Sequence, residues 1–298
     1  MIIRLYQQGD EQQINALFHK VFGVTRSTDE WAWKFKSSDL VDSVIVVAEQ
    51  DGKLVGHAGC LVFEGFFDGQ PITYGLRVDV MVDPASRGQG VYSQVVEQLI
   101  ETCEKRNIEI VYGFPAEKAK DVFIRVSGAL DIGSITRYLG VQKSIAFPSH
   151  KPVSEKILKS WANNKPAVPA RLSIGRDMAF FRYRYLSNPL RSYFAFEGSD
   201  GLVIYTKSRF KGVISYYFVL DCLGSDPVKT LREFSKFIGP GLVSAWATSG
   251  SRLGDTMEAI GWKPHSQPMP VVVQSSLPEV FTASLSDWHL TKADTDSF

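Results

Sequence analysis

The chain has 298 residues, with 44% hydrophobic and 22% charged side chains and a formal net charge of +1. This length is sufficient for more than one domain with its own core. A net charge so close to zero produces no strong field for a polyanion, so we expect no nucleic-acid partner. Cys60, Cys103 and Cys222 are widely spaced, which is typical neither of a disulfide framework nor of a metal site. With no secretory leader and no run of about 18 apolar residues, the sequence predicts a cytoplasmic protein without a metal or membrane insertion.

The N-terminal part of the chain has the pattern of a strand, a helix and a hairpin. Residues 2–6 predict the strand, and Asp10 is typical of the residue that precedes a helix. Two further strand patterns flank Asp51-Gly52, a pair that favours a tight hairpin turn. We therefore expect antiparallel strands that lead into a central strand.

The central strand and the helix after it form the most informative stretch, residues 74–103. Alternation along the strand predicts Val78, Val80 and Val82 on one face and Asp79 and Met81 on the other. A proline and a glycine-rich turn then precede an amphipathic helix. The helix is therefore expected to pack back on the strand.

The turn at residues 87–90 reads Arg-Gly-Gln-Gly and opens this helix. Unpaired N–H groups and the positive end of the helix dipole meet at such a turn, which suits a phosphate group. The turn lacks the Lys and Ser/Thr of a P-loop and the third glycine of a dinucleotide fingerprint. A plain strand-to-helix turn without a ligand is the alternative.

After the central helix, the sequence pattern indicates the end of the first domain and a linker to a second one. Residues 108–112 predict a strand, residues 117–126 a helix ended by Gly128, and residues 134–147 a closing strand. Prolines and polar residues at 148–170 indicate a linker.

From residue 171 the order of hairpin, strand, helix, strand, helix and strand recurs, which indicates a duplication. The second copy lacks the glycine turn. Residues 222–227 read Cys-Leu-Gly-Ser-Asp-Pro, with an acid where a phosphate would lie. We expect no phosphate site in the second copy.

Residues 82–91 resemble the acetyl-CoA loop of the GNAT acetyltransferases, which has the pattern Arg/Gln-x-x-Gly-x-Gly/Ala after a strand and a proline. Only Tyr92 departs from it, at the last place. Tyr-Gly-Phe-Pro at 112–115 and the tail at 288–296 resemble GNAT chains with an intact and a degenerate repeat. The resemblance implies an α+β (α/β) fold of two GNAT-like domains, 1–147 and 171–298, joined by the linker. Each would be a mixed, mostly antiparallel sheet flanked by helices.

The same resemblance implies an acyltransferase that moves an acetyl group directly from acetyl-CoA to an amine of a small-molecule acceptor. An amino sugar is one such acceptor, and the sequence leaves open whether two copies pair as a homodimer. The resemblance places the coenzyme on these residues: Met81, Val82, Arg87, Gly88, Gln89, Gly90, Val91 and Tyr92.

The transfer requires a base for the amine; the main candidates are Asp79 and His57, and further candidates are Glu117, Asp294 and Asp296. Asp79 is ranked first because it is predicted on the strand face of Met81, beside the expected thioester. The alternative is a carboxylate paired with Arg77 or with solvent. His57 lies on a predicted strand near the expected acceptor, although a lone strand histidine is often structural.

An acid is required for the departing thiolate. Relatives often have Asn and Tyr where this chain has Ala116 and Lys120. Lys120 could serve only if burial lowered its pKa, and a solvated surface lysine is the alternative. Tyr92 or Tyr112 could donate the proton instead.

Two further functions compete with acetyl transfer. An acyl-CoA-binding sensor or scaffold without catalysis is suggested by the departures at Ala116 and Lys120. Doubled GNAT repeats also transfer aminoacyl groups from tRNA, but the intact Arg-Gly-Gln-Gly turn argues against an enzyme that dispenses with CoA.

Overall fold

A computed structural model describes residues 1–145, 148–162 and 170–296. The strands are β1 (Ile2–Leu5), β2 (Val41–Gln50), β3 (Lys53–Phe67), β4 (Gln70–Val82), β5 (Ile110–Gly113), β6 (Leu130–Gln142), β7 (Lys151–Pro152), β8 (Leu172–Ile174), β9 (Phe194–Glu197), β10 (Gly201–Phe210), β11 (Ile214–Gly224), β12 (Gly241–Thr248), β13 (Lys263–Ser275) and β14 (Trp288–His289). The helices are α1 (Glu11–Phe22), α2 (Thr28–Lys36), α3 (Val91–Lys105), α4 (Glu117–Ser127), α5 (Glu155–Trp161), α6 (Met178–Phe181), α7 (Pro227–Phe237) and α8 (Arg252–Ala259). The end of the predicted strand, 146–147, and part of the predicted linker, 163–169, lie outside the described residues.

The described chain divides into two compact units. The first consists of Met1–Glu64, Ile72–Ile132 and Val271–Thr282, and the other described residues form the second. Each unit contains parallel and antiparallel strand pairs with helices packed against them. The predicted α+β class with a mixed sheet is confirmed.

The sheet of the first unit has the strand order β1-β2-β3-β4-β5-β13. The pairs β1-β2, β2-β3 and β5-β13 are antiparallel, whereas β4-β5 is parallel. The predicted hairpin turn is confirmed, since Asp51 and Gly52 both have positive φ. Helix α3 packs on the sheet through its apolar stripe, as predicted, with these side chains buried: Val91, Val95, Val96, Leu99, Ile100 and Cys103.

Strand β4 does not alternate as predicted, because Asp79 has φ +49° and interrupts the pleat. Val82 belongs to the core cluster under α3. Val78 lies instead beside Gly59, close to Phe35 of α2. The prediction that the three valines share one face is therefore wrong, since a bulge shifts the alternation by one residue.

The second unit has the strand order β6-β12-β11-β10-β9-β7, with β11-β12 parallel and the other pairs antiparallel. Helices α7 and α8 pack on one face of this sheet. Near the C-terminus, Arg176 bridges Asp221 at 2.7 Å and Asp294 at 2.9 Å, and all three side chains are buried. This network fixes the end of the described chain to β11.

The limits of the two units differ from the predicted boundaries at residues 147 and 171. The first unit ends at Ile132 and is completed by Val271–Thr282. The cause is strand pairing, because Val272 lies opposite Gly113 and Val273 opposite Tyr112 of β5. The duplication of an intact and a degenerate repeat stays a prediction.

Candidate functional site

The turn between β4 and α3 contains two glycines with left-handed backbone. Gly88 has φ +78° and Gly90 has φ +75°, angles that strain other residues. A Cβ atom on Gly88 would meet no other atom within 4 Å. Residues 87–90 are exposed, whereas Val91 is buried and fixes the first turn of α3 to the core. The turn is therefore accessible to solvent, while the helix that follows it is anchored in the core.

The backbone N–H groups of residues 87–93, here called the amide loop, have no acceptor among the described residues. The first bonded amide of α3 is that of Gln94, which donates to the carbonyl oxygen of Gly90 at 3.2 Å. Gly90 is the N-cap and supplies no side-chain acceptor. These unpaired donors and the helix dipole together favour an anion at this place.

Helix α7 of the second unit begins differently. The Asp226 carboxylate accepts a hydrogen bond from the backbone N–H of Lys229 at 2.9 Å. Pro227 occupies the first position of the helix and has no N–H group to offer. A carboxylate therefore fills the position that an anion would take. This geometry supports the prediction that the second copy has no phosphate site.

Strand β4 continues beyond its pairing with β5. Their pairing runs from Tyr74 opposite Ile110 to Arg77 opposite Gly113, and no later pair is described. Strand β4 continues to Val82. Met81 and Val82 have buried side chains, and their backbone lies in the part of β4 that β5 does not cover. An extended ligand could pair with β4 there as β5 does earlier.

Tyr92 lies in the first turn of α3 and contacts Arg77. Burial raises the pKa of Tyr92, and the Arg77 guanidinium, which hydrogen-bonds its hydroxyl, only partly opposes this effect. The Arg77 guanidinium stacks over Phe123, with 3.3 Å between Arg77 Cζ and the centroid of the Phe123 ring. The Tyr92 phenol therefore stays protonated at neutral pH. Tyr112 is a core residue, with its ring packed edge-on against that of Tyr74.

Asp79 is part of a buried ion cluster, which consists of Arg26, Lys34, His57 and Asp79. Lys34 Nζ lies 2.8 Å from Asp79 Oδ1, Arg26 contacts Asp79 Oδ2, and these side chains are 8% exposed or less. Burial would raise the pKa of Asp79, but Lys34 and Arg26 outweigh burial and lower it far below its usual range. Such a carboxylate is a poor proton acceptor. Arg26 and Lys34, and not the Arg77 expected from the sequence, hold the Asp79 carboxylate.

His57 is fully buried beside this carboxylate. Its Nδ1 lies 2.7 Å from the carbonyl oxygen of Asp79, so Nδ1 carries the proton and donates. Its Nε2 has no partner among the described residues. Burial lowers the pKa of His57 to about 4, so the ring is neutral at neutral pH. The geometry supports the structural alternative for His57.

Lys120 does not have the environment that an acid would need. Its Nζ lies 2.9 Å from Asp131 and 3.2 Å from Glu117. The hydrogen bond with Asp131, then that with Glu117, raises the pKa of Lys120. The requirement of a lowered pKa is thus not met, which favours the surface-lysine alternative.

The roles of Arg26 and Lys34 and the contact of Arg77 with Tyr92 were not predicted from the sequence. Lys34 lies between the aromatic residues of α2, and Arg26 lies in the loop before that helix. Only the spacing of Lys34 from Trp31, three residues along a helix, could have indicated a partly buried position. No local pattern marked Arg26.

Residues 2–120 match the family model described as the acetyltransferase (GNAT) domain. A GCN5-related N-acetyltransferase from Anabaena variabilis is similar, with 14% identity, a TM-score of 0.69, and 92% of this chain and 73% of that chain covered. A conserved protein of unknown function from Enterococcus faecalis, a probable N-acyltransferase, matches with 14% identity, a TM-score of 0.69 and coverage of 92% and 72%. A GCN5-related N-acetyltransferase from Kribbella flavida is also similar, with 13% identity, a TM-score of 0.66, and 92% of this chain and 71% of that chain covered. No curated protein matches the sequence.

At 13–14% identity the solved structures support only the fold of this chain. The match to the family model supports an acetyltransferase (GNAT) domain. Within residues 1–145, 148–162 and 170–296, no helix is both long and apolar enough to cross a membrane. The part of β4 uncovered by β5, the amide loop and α3 all lie inside the matched residues. The chain therefore contains a GNAT acetyltransferase domain, whose family model matches residues 2–120, and the amide loop lies among the matched residues.

Proposed function

We propose that this protein transfers an acetyl group from acetyl-CoA to an amine of a small-molecule acceptor. The observation that carries the proposal is the amide loop: seven consecutive residues, 87–93, whose N–H groups lack acceptors among the described residues at the start of a 15-residue helix. Acetyl-CoA is the co-substrate of the GNAT family, and its diphosphate is the anion that such a loop suits.

The residues of the first unit fit the parts of this co-substrate. The diphosphate would bind the N–H groups of the amide loop, with Arg87 exposed beside it. The amide groups of the pantetheine arm would pair with the backbone of Met81 and Val82, where β4 lacks β5. A fixed N–H group there would polarise the thioester carbonyl, an effect typically worth about 3 kcal/mol.

The reaction then requires two proton movements. The neutral amine forms a bond to the carbonyl carbon, the C–S bond breaks, the amine loses a proton and the thiolate gains one. We propose Tyr92 as the acid because of its position: its hydroxyl accepts a hydrogen bond from Arg77, the last residue of β4 that β5 covers, whereas Tyr112 is enclosed by the core. Asp79 and His57 are not proposed as the base, because Arg26 and Lys34 bind the Asp79 carboxylate and His57 is hydrogen-bonded to the Asp79 backbone. A water molecule could accept the amine proton.

The acceptor is less closely defined in this proposal than the co-substrate. An amine is supported by the family, and an amino sugar only by the resemblance of the sequence to tandem GNAT chains. A second function, an acyl-CoA sensor without catalysis, is favoured by one observation: Lys120, which stands where relatives carry an acid, is bound by Asp131 and Glu117.

One experiment separates the two functions. The full chain is mixed with acetyl-CoA and a panel of amines that includes amino sugars and polyamines, and free thiol is followed. Acetyl transfer predicts thiol release that depends on one class of amine and is absent from the Gly90→Asp variant. Tight binding of CoA with no amine-dependent release would support the sensor, and absence of binding would overturn both.

A further inference from the structure

The second unit contains a cavity of about 550 Å³ that shares no residue with the amide loop. Its volume lies within the range of about 300–1,000 Å³ that is typical of small-molecule sites. Four basic side chains line it: Arg184, Arg191, Lys207 and Lys292. No carboxylate is among the described residues that line it. We call it the basic cavity.

The floor of the basic cavity is aromatic because of strand register. In β11, Tyr217 and Val219 point into the core under α7, so Tyr216 and Phe218 face the opposite side and line the cavity. In β12, Ala245 and Ala247 belong to the same core. Their neighbour Trp246 therefore joins Tyr216 and Phe218 on the cavity side.

Trp246 connects the aromatic floor with the positive charges. Its ring meets that of Phe218 edge-on, with 6.0 Å between the centroids. The ammonium group of Lys292 lies 4.1 Å from the centroid of the Trp246 ring. Trp246 is 8% exposed, and its Nε1 has no hydrogen-bond partner among the described residues. The lining of the cavity therefore places an aromatic ring and an ammonium group next to each other.

The charges of the cavity are arranged from its base to its rim. Arg184 is buried and donates to the backbone carbonyl oxygen of Lys292 at 3.0 Å. Arg191 and Lys207 are exposed. Buried and exposed cations beside aromatic rings would hold a planar organic anion by its charged group and its ring.

We propose that the basic cavity is a second small-molecule site, which binds a planar organic anion with its ring on Trp246 and Phe218 and its charged group between Arg184 and Lys292. The site is independent of the proposed acetyl transfer. A carboxylate and a phosphate monoester have the required charge.

The experiment uses calorimetry of the full chain with 2-naphthoate, 2-naphthyl phosphate and the uncharged 2-naphthamide. We expect at least one anion to bind at least about tenfold more tightly than the amide, and the stronger anion identifies the head group. Equal affinity for the amide, or no binding of either anion, would overturn the proposal.

Two variants test the location. Arg191→Met removes a charge at the exposed rim without disturbing the core, and we expect severalfold weaker binding of the anion. Lys263→Met is the matched control, since Lys263 is exposed in the same unit and does not line the cavity. Equal affinities of these two variants, or loss of anion binding in Gly90→Asp, would place the anion elsewhere.

The pH dependence adds an independent readout. Burial and then the charge of Arg184 lower the pKa of Lys292 to about 7, while Asp296 opposes them and Arg191 acts with them. Anion binding should therefore weaken above about pH 7, by at most about tenfold per pH unit. The other titratable groups nearby are Tyr193 and Tyr216, which line the cavity, and Lys207 and His150, with 2.9 Å between Lys207 Nζ and His150 Nε2. In Lys292→Met this dependence should largely disappear, and an unchanged profile would contradict the assignment.

Discussion

His57 Nδ1 donates a hydrogen bond to the backbone carbonyl oxygen of Asp79, with 2.7 Å between the two atoms. Asp79 adopts a left-handed backbone, φ +49°, at the bulge of β4. The histidine therefore fixes the one residue at which the strand departs from the pleat. Lys34 and Arg26 bind the side chain of the same residue. Four side chains thus define the path of β4 toward the amide loop.

The first prediction concerns acid stability. The pKa of His57 is about 4 in the folded chain, against an ordinary value of 6.5 for histidine, so between these pH values the unfolded chain binds more protons. Stability should therefore decrease as the pH falls from about 6.5 to 4, by up to about 3 kcal/mol from this group. His57→Asn keeps a donor near Nδ1 but cannot titrate, so its stability should change less over this range. Urea unfolding at several pH values measures the difference.

The exposed His19 provides the control for this experiment. His19→Asn should have the acid profile of the unmodified chain. If His57→Asn also follows that profile, the buried neutral state of His57 is wrong.

The second prediction concerns the charge of Asp79. Asp79→Asn preserves the shape of the side chain but leaves Arg26 and Lys34 without their carboxylate. We expect the free energy of unfolding to decrease by about 3–5 kcal/mol, because two buried cations lose their counter-charge. Chemical denaturation measures this loss. Glu101→Gln, which breaks the exposed pair with Lys105, should have little effect, and a similarly small effect of Asp79→Asn would argue against a stabilising ion cluster.

The third prediction tests the amide loop by CoA binding. Gly90→Asp places a carboxylate among the unpaired N–H groups, and we expect calorimetry to detect no binding of CoA. Gly52→Asp is a close match, because Gly52 has φ +73°, against +75° for Gly90, and a Cβ there meets no atom within 4 Å. The Gly52 variant should bind CoA as the unmodified chain does. Unchanged affinity of Gly90→Asp would exclude the amide loop as the site.

The fourth prediction separates the two candidate acids. Lys120→Met should leave kcat within about twofold, because Asp131 and Glu117 raise the pKa of Lys120 and so make its ammonium group a weaker proton donor. Tyr92→Phe should lower kcat by about 10²-fold or more, the typical contribution of a general acid. Steady-state kinetics with the best amine from the panel gives both values. The reverse result would assign the proton to Lys120.

The local patterns of the sequence were sufficient for most elements of the described chain. The Asp51-Gly52 turn, the apolar stripe of α3 and the end of α4 at Gly128 were predicted because each depends on neighbouring residues. The amide loop was recognised for the same reason. Whether CoA binds it is still a prediction.

Long-range contacts explain what the sequence did not predict. The bulge at Asp79 requires His57, Arg26 and Lys34, which come from three other segments of the chain. The basic cavity combines β10, β11, β12 and the C-terminal turn. No spacing rule relates Trp246 to Lys292, so their contact is visible only in the folded chain.

Strand β13 is divided between the two units, since its residues 263–270 belong to the second unit and its residues 271–275 to the first. This division matters when the protein is cut into fragments. A fragment that ends at residue 147 would lack Val272 and Val273, and the edge of β5 that they cover would be bare. Bare strand edges template aggregation. An insoluble N-terminal fragment would therefore not show that its amide loop is faulty, and supplying residues 271–282 as a separate peptide should restore its solubility.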